Sequence, residues 1–63
     1  GKIEGKIEHG RHTLLLLLPQ KLGPMPTEIE QAIRTLDDVN RIDVILSRFM
    51  ELKDWQQLKQ YLN

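Results

Sequence analysis

The sequence predicts an all-α fold: a small bundle of about four helices, in which a long N-terminal helix continues into an oligomerising, coiled-coil-like stretch. The first observation behind this prediction is a run of five leucines, Leu14–Leu18. Successive helix residues are rotated by about 100°, so this run makes one helix apolar on every side. The second observation is that three short segments follow, each with a single apolar face. They can cover one side of the leucine run, so we expect another chain to cover the other side.

Length and composition restrict the classes of function. A chain of 63 residues falls in the size range where a domain is marginally stable unless it is cross-linked or assembled. The absence of cysteine excludes disulfides and thiolate metal sites, and it fits a cytoplasmic protein. Nine basic residues balance nine acidic residues, so no net charge attracts nucleic acid or an anionic membrane. The longest apolar run is far shorter than the roughly 20 residues that a bilayer-spanning helix needs.

Residues 1–8 consist of the tetrad Gly-Lys-Ile-Glu repeated twice. A four-residue period is close to one helical turn, so Ile3 and Ile7 share one face of a helix. Within a single helix the lysines and the glutamates stack as like charges, and each interior glycine costs about 1 kcal/mol relative to alanine. We therefore divide the chain into residues 1–12, a helical stalk or frayed tail, and residues 13–63, a small helical domain.

A self-association seam is predicted along the first helix. Ile3 and Ile7 recur eleven residues later as Leu14 and Leu18, a spacing that favours a straight or slightly right-handed superhelix; a heptad through Leu17 is the alternative. We expect two to four parallel chains to meet at five residues: Ile3, Ile7, Leu14, Leu17 and Leu18. The later helices should then pack on the remaining leucines: Leu15, Leu16 and Leu22.

Three capping signals mark the starts of the later helices. Thr27 and Glu30 have the spacing of a capping box, in which the hydroxyl caps an early amide and the carboxylate reaches back. Asp38 precedes the best amphipathic stripe in the chain and fits an N-cap. Asp54 with Gln57 fits a second capping box, which would open a last short helix.

Nearly the whole chain resembles a known family. A leucine-rich helix ends in Leu22-Gly23-Pro24-Met25-Pro26, Ile29 and Ile33 follow, and an aspartate-capped helix precedes Asp54-Trp55-Gln56-Gln57-Leu58. These features resemble the small C-terminal helical domain of unknown function on transposase-like proteins and recombination-promoting nucleases of the PD-(D/E)XK superfamily, which are common in bacteria. Those proteins often carry Gly-and-Glu tetrad repeats just before the domain, as residues 1–8 do here.

The resemblance implies an accessory tail that self-associates or holds catalytic domains together. The nuclease core of that superfamily lies upstream of the tail. None of its acidic and lysine active-site residues matches a position here, so no catalytic residue is carried over. Pro19 departs from the uninterrupted first helix that is usual in the family, and we expect a kink or a tightened last turn there.

No catalytic, cofactor or metal site is predicted within the chain. His9 and His12 are spaced for two metal ligands on one helix, but Glu8 is the only nearby candidate for a third ligand. We therefore interpret both histidines as solvated or packed between chains. Asp37 and Asp38 fit a helix cap, because no nucleophile or second base accompanies them.

The sequence thus predicts a non-catalytic oligomerisation or protein-interaction module, the tail of a nuclease- or transposase-like protein. Three alternatives stay open. The leucine face could bind a different protein or the catalytic domain of a parent chain, or a separately made tail could regulate the parent nuclease. Weak binding of nucleic acid is the third, although glutamates interrupt the basic residues of the first helix.

Overall fold

The computed structural model describes residues 1–62 as four α-helices and one short 3₁₀ turn, with no strand among these residues. The helices are α1 (Lys2–Leu22), α2 (Thr27–Arg34), α3 (Val39–Ser47) and α4 (Trp55–Leu62), and the 3₁₀ turn is Phe49–Glu51. This arrangement confirms the predicted small all-α bundle. Within the described chain, no helix combines the length and the apolar character that crossing a bilayer requires.

Helix α1 is continuous across the predicted boundary between residues 12 and 13. Its first half packs on the bundle, because Lys6 Nζ lies 3.8 Å from a carboxylate oxygen of Asp43 on α3. The Nε of Arg11 also donates a hydrogen bond to the carbonyl oxygen of Leu36, just after α2. The helix continues through Pro19 and ends before Gly23, whose φ of 93° favours glycine.

The core lies between α1 on one side and α2, α3 and α4 on the other. Helix α1 packs against α2 and α3, and α4 closes the bundle by packing against the same two helices. Among residues 1–62, every fully buried side chain of the core is apolar. These side chains are Leu14, Leu18, Ile29, Ile33, Ile42, Ile45, Leu52 and Leu58.

Gly10 allows α1 and α3 to approach closely. It is buried, and a Cβ atom added to it would lie 2.5 Å from Cγ2 of Ile42. Carbon atoms in ordinary contact are about 3.5–4.0 Å apart, so any side chain here would push the two helices apart or displace Ile42. The close approach fixes which face of α1 points into the bundle.

Aspartates cap two of the later helices. Oδ1 of Asp38 accepts hydrogen bonds from the backbone N–H groups of Asn40 (3.0 Å) and Arg41 (3.3 Å) at the start of α3. Oδ1 of Asp54 accepts from the N–H of Gln57 at 2.8 Å. The first N–H groups of a helix have no hydrogen-bond acceptor within the helix, and each aspartate supplies an acceptor to one or two of them.

The capping box predicted at Thr27 and Glu30 is wrong. The N-cap of α2 is Pro26, and no side chain caps this end of the helix. Pro26 is extended (φ −62°, ψ 144°) and its carbonyl already accepts the first helical hydrogen bonds, so Thr27 lies within the first turn. Glu30 instead pairs with Arg34 at 3.7 Å along the helix surface.

Candidate self-association surface

The inner face of α1, formed by Ile7, Gly10, Leu14 and Leu18, packs inside the chain. Leu14 and Leu18 are 0% exposed, and Ile7 is half-buried against the same core. The prediction that Leu14 and Leu18 contact other chains is therefore wrong. The isoleucine–leucine stripe is real, but α2 and α3 of the same chain cover it.

The outer face of α1 is formed by Gly5, His9, His12 and Leu16, which are all exposed. In a regular helix these four positions lie within about 60° of one another and on the side opposite Leu14. Leu16 is 54% exposed, which overturns the prediction that it packs under the later helices. A large apolar side chain therefore stands on the open side of the longest helix.

The two remaining residues of the predicted seam, Leu17 and Ile3, differ in how much of the side chain is exposed. Leu17 is half-buried on the flank of α1, about 100° around the helix from Leu16 and closer to Gly10 of the inner face. Ile3 points in the same direction as Ile7, but it is 65% exposed and lies at the far N-terminal end of α1. Contact between Ile3 or Leu17 and another chain stays a prediction.

A second exposed apolar side chain, Met50, stands on the 3₁₀ turn and is 82% exposed. The ammonium group of Lys21 donates a hydrogen bond to the Met50 carbonyl oxygen (3.4 Å) and lies 5.6 Å from the centre of the Phe49 ring. This site therefore combines one flexible side chain with a fixed positive charge, and it is a poorer apolar surface than the outer face of α1.

The structure also fixes the surroundings of the two histidines. Neither imidazole has a hydrogen-bond or ion-pair partner within residues 1–62. Over the same residues, no group of three or more histidine or carboxylate side chains is arranged to hold a metal ion. A single chain therefore offers two unpaired imidazoles on the outer face and nothing to complete a metal site.

Ionic groups elsewhere stabilise helix packing. Nζ of Lys59 on α4 lies 2.8 Å from a carboxylate oxygen of Glu28 on α2. The hydrogen bond and the positive charge of Lys59 both lower the pKa of Glu28. An open groove of about 190 Å³ lies beside this ion pair, below the roughly 300 Å³ at which small-molecule sites begin.

Comparisons of the chain with known protein families, curated proteins and solved structures give no match. The candidate surface therefore rests on its own geometry. Sequence reasoning missed the exposure of Leu16, although one signal was available. Gly5, His9, His12 and Leu16 follow the spacing 4, 3, 4, which is the spacing of positions that line one seam of paired helices.

Proposed function

We propose that this chain is a non-catalytic oligomerisation and protein-interaction module that assembles two to four copies through the outer face of α1. The observation that carries the proposal is the exposure of Leu16 on that face, 54%. Burying a leucine side chain contributes about 1.5–3 kcal/mol. The adjacent Leu15 and Leu17 are half-buried and lie about 100° around the helix on either side of Leu16, so Leu16 is the main apolar side chain of this face.

The shape of α1 also favours this face over the other exposed apolar residues. Helix α1 has 21 residues and is therefore about 31 Å long, close to the 33 Å length of the whole bundle. A helix face of this length can align with a second helix over several turns. Met50, on a three-residue turn beside Lys21, offers no comparable surface.

The proposed association is weak and depends on concentration. Leu16 is 54% exposed, so one leucine from each of two chains supplies about half the value for two fully exposed side chains, about 1.5–3 kcal/mol of apolar burial, to which contacts of neighbouring residues along the helix would add. Association costs at least about 4 kcal/mol in lost translational and rotational freedom. We therefore expect a monomer at high dilution and oligomers at high concentration or when a parent protein brings copies together.

We further propose that the parent protein is a bacterial, cytoplasmic nuclease or transposase-like protein, in which this module forms the C-terminal tail. This part of the proposal rests on the resemblance of residues 22–26 and 54–58. In such a protein, pairing of the tails would hold two catalytic domains together. A chain that stays monomeric at all concentrations would instead favour a different protein, or the parent's catalytic domain, as the partner.

Light scattering over a wide dilution range tests the proposed association, in a buffer that contains a metal chelator. The wild-type chain should pass from the 7.4 kDa protomer to a multiple of that mass as concentration rises. Leu16→Lys should remain a monomer, because its ammonium group would have to be buried in the contact. Met50→Lys is the matched control: it places the same charge at a more exposed position and should associate like the wild type.

A further inference from the structure

His9 and His12 stand on the proposed association surface without any partner of their own. They are three positions apart on α1, so their side chains are about 60° apart around the helix and roughly 5–6 Å apart at Cβ. Both are exposed, and the chain has no other histidine. Two imidazoles at this spacing can hold the same metal ion from one helix.

Zinc requires more ligands than one chain supplies. A structural zinc site has four ligands in a tetrahedral arrangement, and imidazole nitrogens bind zinc at about 2.0–2.1 Å. Two copies of the histidine pair supply four imidazoles, which complete such a site.

We propose that His9 and His12 form half of a zinc site, which the same two side chains of a second copy complete when two α1 helices pair in antiparallel orientation through their outer faces. This inference rests on the proposed function, since it uses the same face. Zinc would add to the weak binding energy of the apolar contact. Association would then depend on the availability of the metal.

The antiparallel register follows from the positions of the neighbouring residues. If His9 of one chain lies opposite His12 of the other, then Gly5 lies opposite Leu16, because each is four positions beyond the histidine pair. Nothing lies within 4 Å of a Cβ built on Gly5, so this position is an open notch. The exposed leucine of each copy therefore packs against the one glycine of the outer face of the facing helix.

The charges on α1 tolerate this register. The two Lys6 residues would be offset by nine positions, about 13 Å along the helix axis, which exceeds the screening length of about 8–10 Å at physiological ionic strength. The two Glu8 residues would be offset by about 7.5 Å and would flank the zinc ion. The positive charge of the metal offsets their mutual repulsion.

Zinc titration of the full chain tests the inference. With one Zn²⁺ added for every two chains, the mass from light scattering should double from 7.4 kDa at a concentration where the chelated chain is a monomer. Calorimetry should give one zinc per two chains, and a chelator should reverse the change. Mg²⁺ should have no effect, because it prefers oxygen ligands.

Variants identify the ligands. His9→Ala and His12→Ala should each weaken zinc-dependent association at least about tenfold, whereas Gln20→Ala, on the same side of the helix, should leave it unchanged. Zinc bound one per chain without a change of mass would overturn the proposal. So would zinc-dependent pairing that survives when both histidines are replaced.

Further outcomes separate this inference from the proposed function. Oligomers in chelator with no zinc binding would refute the zinc site and leave the apolar association standing. A chain that is a monomer in chelator at all concentrations and pairs only with zinc would refute the apolar association and leave the zinc site standing. Gly5→Leu should hinder zinc-dependent pairing while Gly1→Leu should not, and equal pairing by both variants would overturn the antiparallel register.

Discussion

The close approach of α1 and α3 at Gly10 gives a sharp prediction about stability. Gly10→Ala adds a Cβ that would lie 2.5 Å from Cγ2 of Ile42, whereas Gly5→Ala adds a Cβ with nothing within 4 Å. Both positions are inside α1, so both substitutions gain the same helix propensity of about 1 kcal/mol. The difference between the two variants therefore isolates the steric cost at Gly10.

The expected size of that cost follows from the packing. The added carbon, or Ile42, must move by about 1 Å to reach ordinary contact, and overpacking a core of this kind costs about 1–3 kcal/mol. Gly5→Ala should then stabilise the fold by up to about 1 kcal/mol, and Gly10→Ala should be about 1–3 kcal/mol less stable than Gly5→Ala.

Thermal unfolding followed by circular dichroism, at a dilution where the chain is monomeric, measures the difference. For a domain of this size, each kcal/mol corresponds to about 4–8 °C in Tm. If both alanine variants gained the same stability, Gly10 would not be the point at which the two helices meet. The assignment of the inner face of α1 would then have to be abandoned.

Three further predictions concern the core, a cap and an ion pair. Leu14→Ala should lower the free energy of unfolding by about 2–5 kcal/mol because it leaves a cavity. Leu16→Ala should change the free energy of unfolding by under about 0.5 kcal/mol in the dilute monomer. Equal losses of stability in urea unfolding would contradict the assignment of Leu14 to the inner face and Leu16 to the outer face. Asp38→Ala should cost about 0.5–2 kcal/mol, measured in the same way, because two amides lose their acceptor. Lys59 lowers the pKa of Glu28 below its ordinary 4.5, so the carboxylate stabilises the fold above that pH and loses this contribution as pH falls through the lower, folded-state value. Glu28→Gln should therefore reduce the drop of Tm in acid slightly, and an unchanged drop would mean that the ion pair does not form in solution.

The fold class could be predicted from the sequence. Which leucines of the run face the core and which face outward could not. Five consecutive leucines point to every side of the helix, so the run alone does not distinguish an inner from an outer face. In the structure, Gly10 and Leu14 lie on the side that meets α3, which leaves Leu16 outside. The stripe that continues Ile7 is apolar, as its spacing predicts, but it packs inside its own chain and not against another.

Local rules predicted the aspartate caps, but the predicted capping box at Asp54 forms only in half, because Oε1 of Gln57 accepts a hydrogen bond from the backbone N–H of Lys53 and not from that of Asp54. Asp38 and Asp54 precede their helices with no competing residue, and both accept backbone hydrogen bonds. At Thr27 the preceding Pro26 changed the outcome, because its extended conformation lets the helix start one residue earlier than the capping box requires.

The polar residues of α1 indicate which side of the helix faces outward, whereas the leucine run does not. His9 and His12 are unsuited to an apolar core, so they mark the outward side of the helix, and Leu16 falls on that same side. Which exposed side chain contacts another molecule still depends on the partner. The structure of one chain therefore identifies the outer face of α1 as a candidate contact surface, and measurements of association can test it.

The most direct test of the central claim is a dilution series of methyl NMR spectra recorded in the presence of a chelator. If the outer face of α1 is the association surface, the methyl resonances of Leu16 shift as concentration rises, while those of Met50 and Val44 stay fixed. These two control residues are also exposed, so exposure alone cannot produce the pattern. A shift at Met50 or Val44 with Leu16 unchanged would place the contact elsewhere and contradict the account.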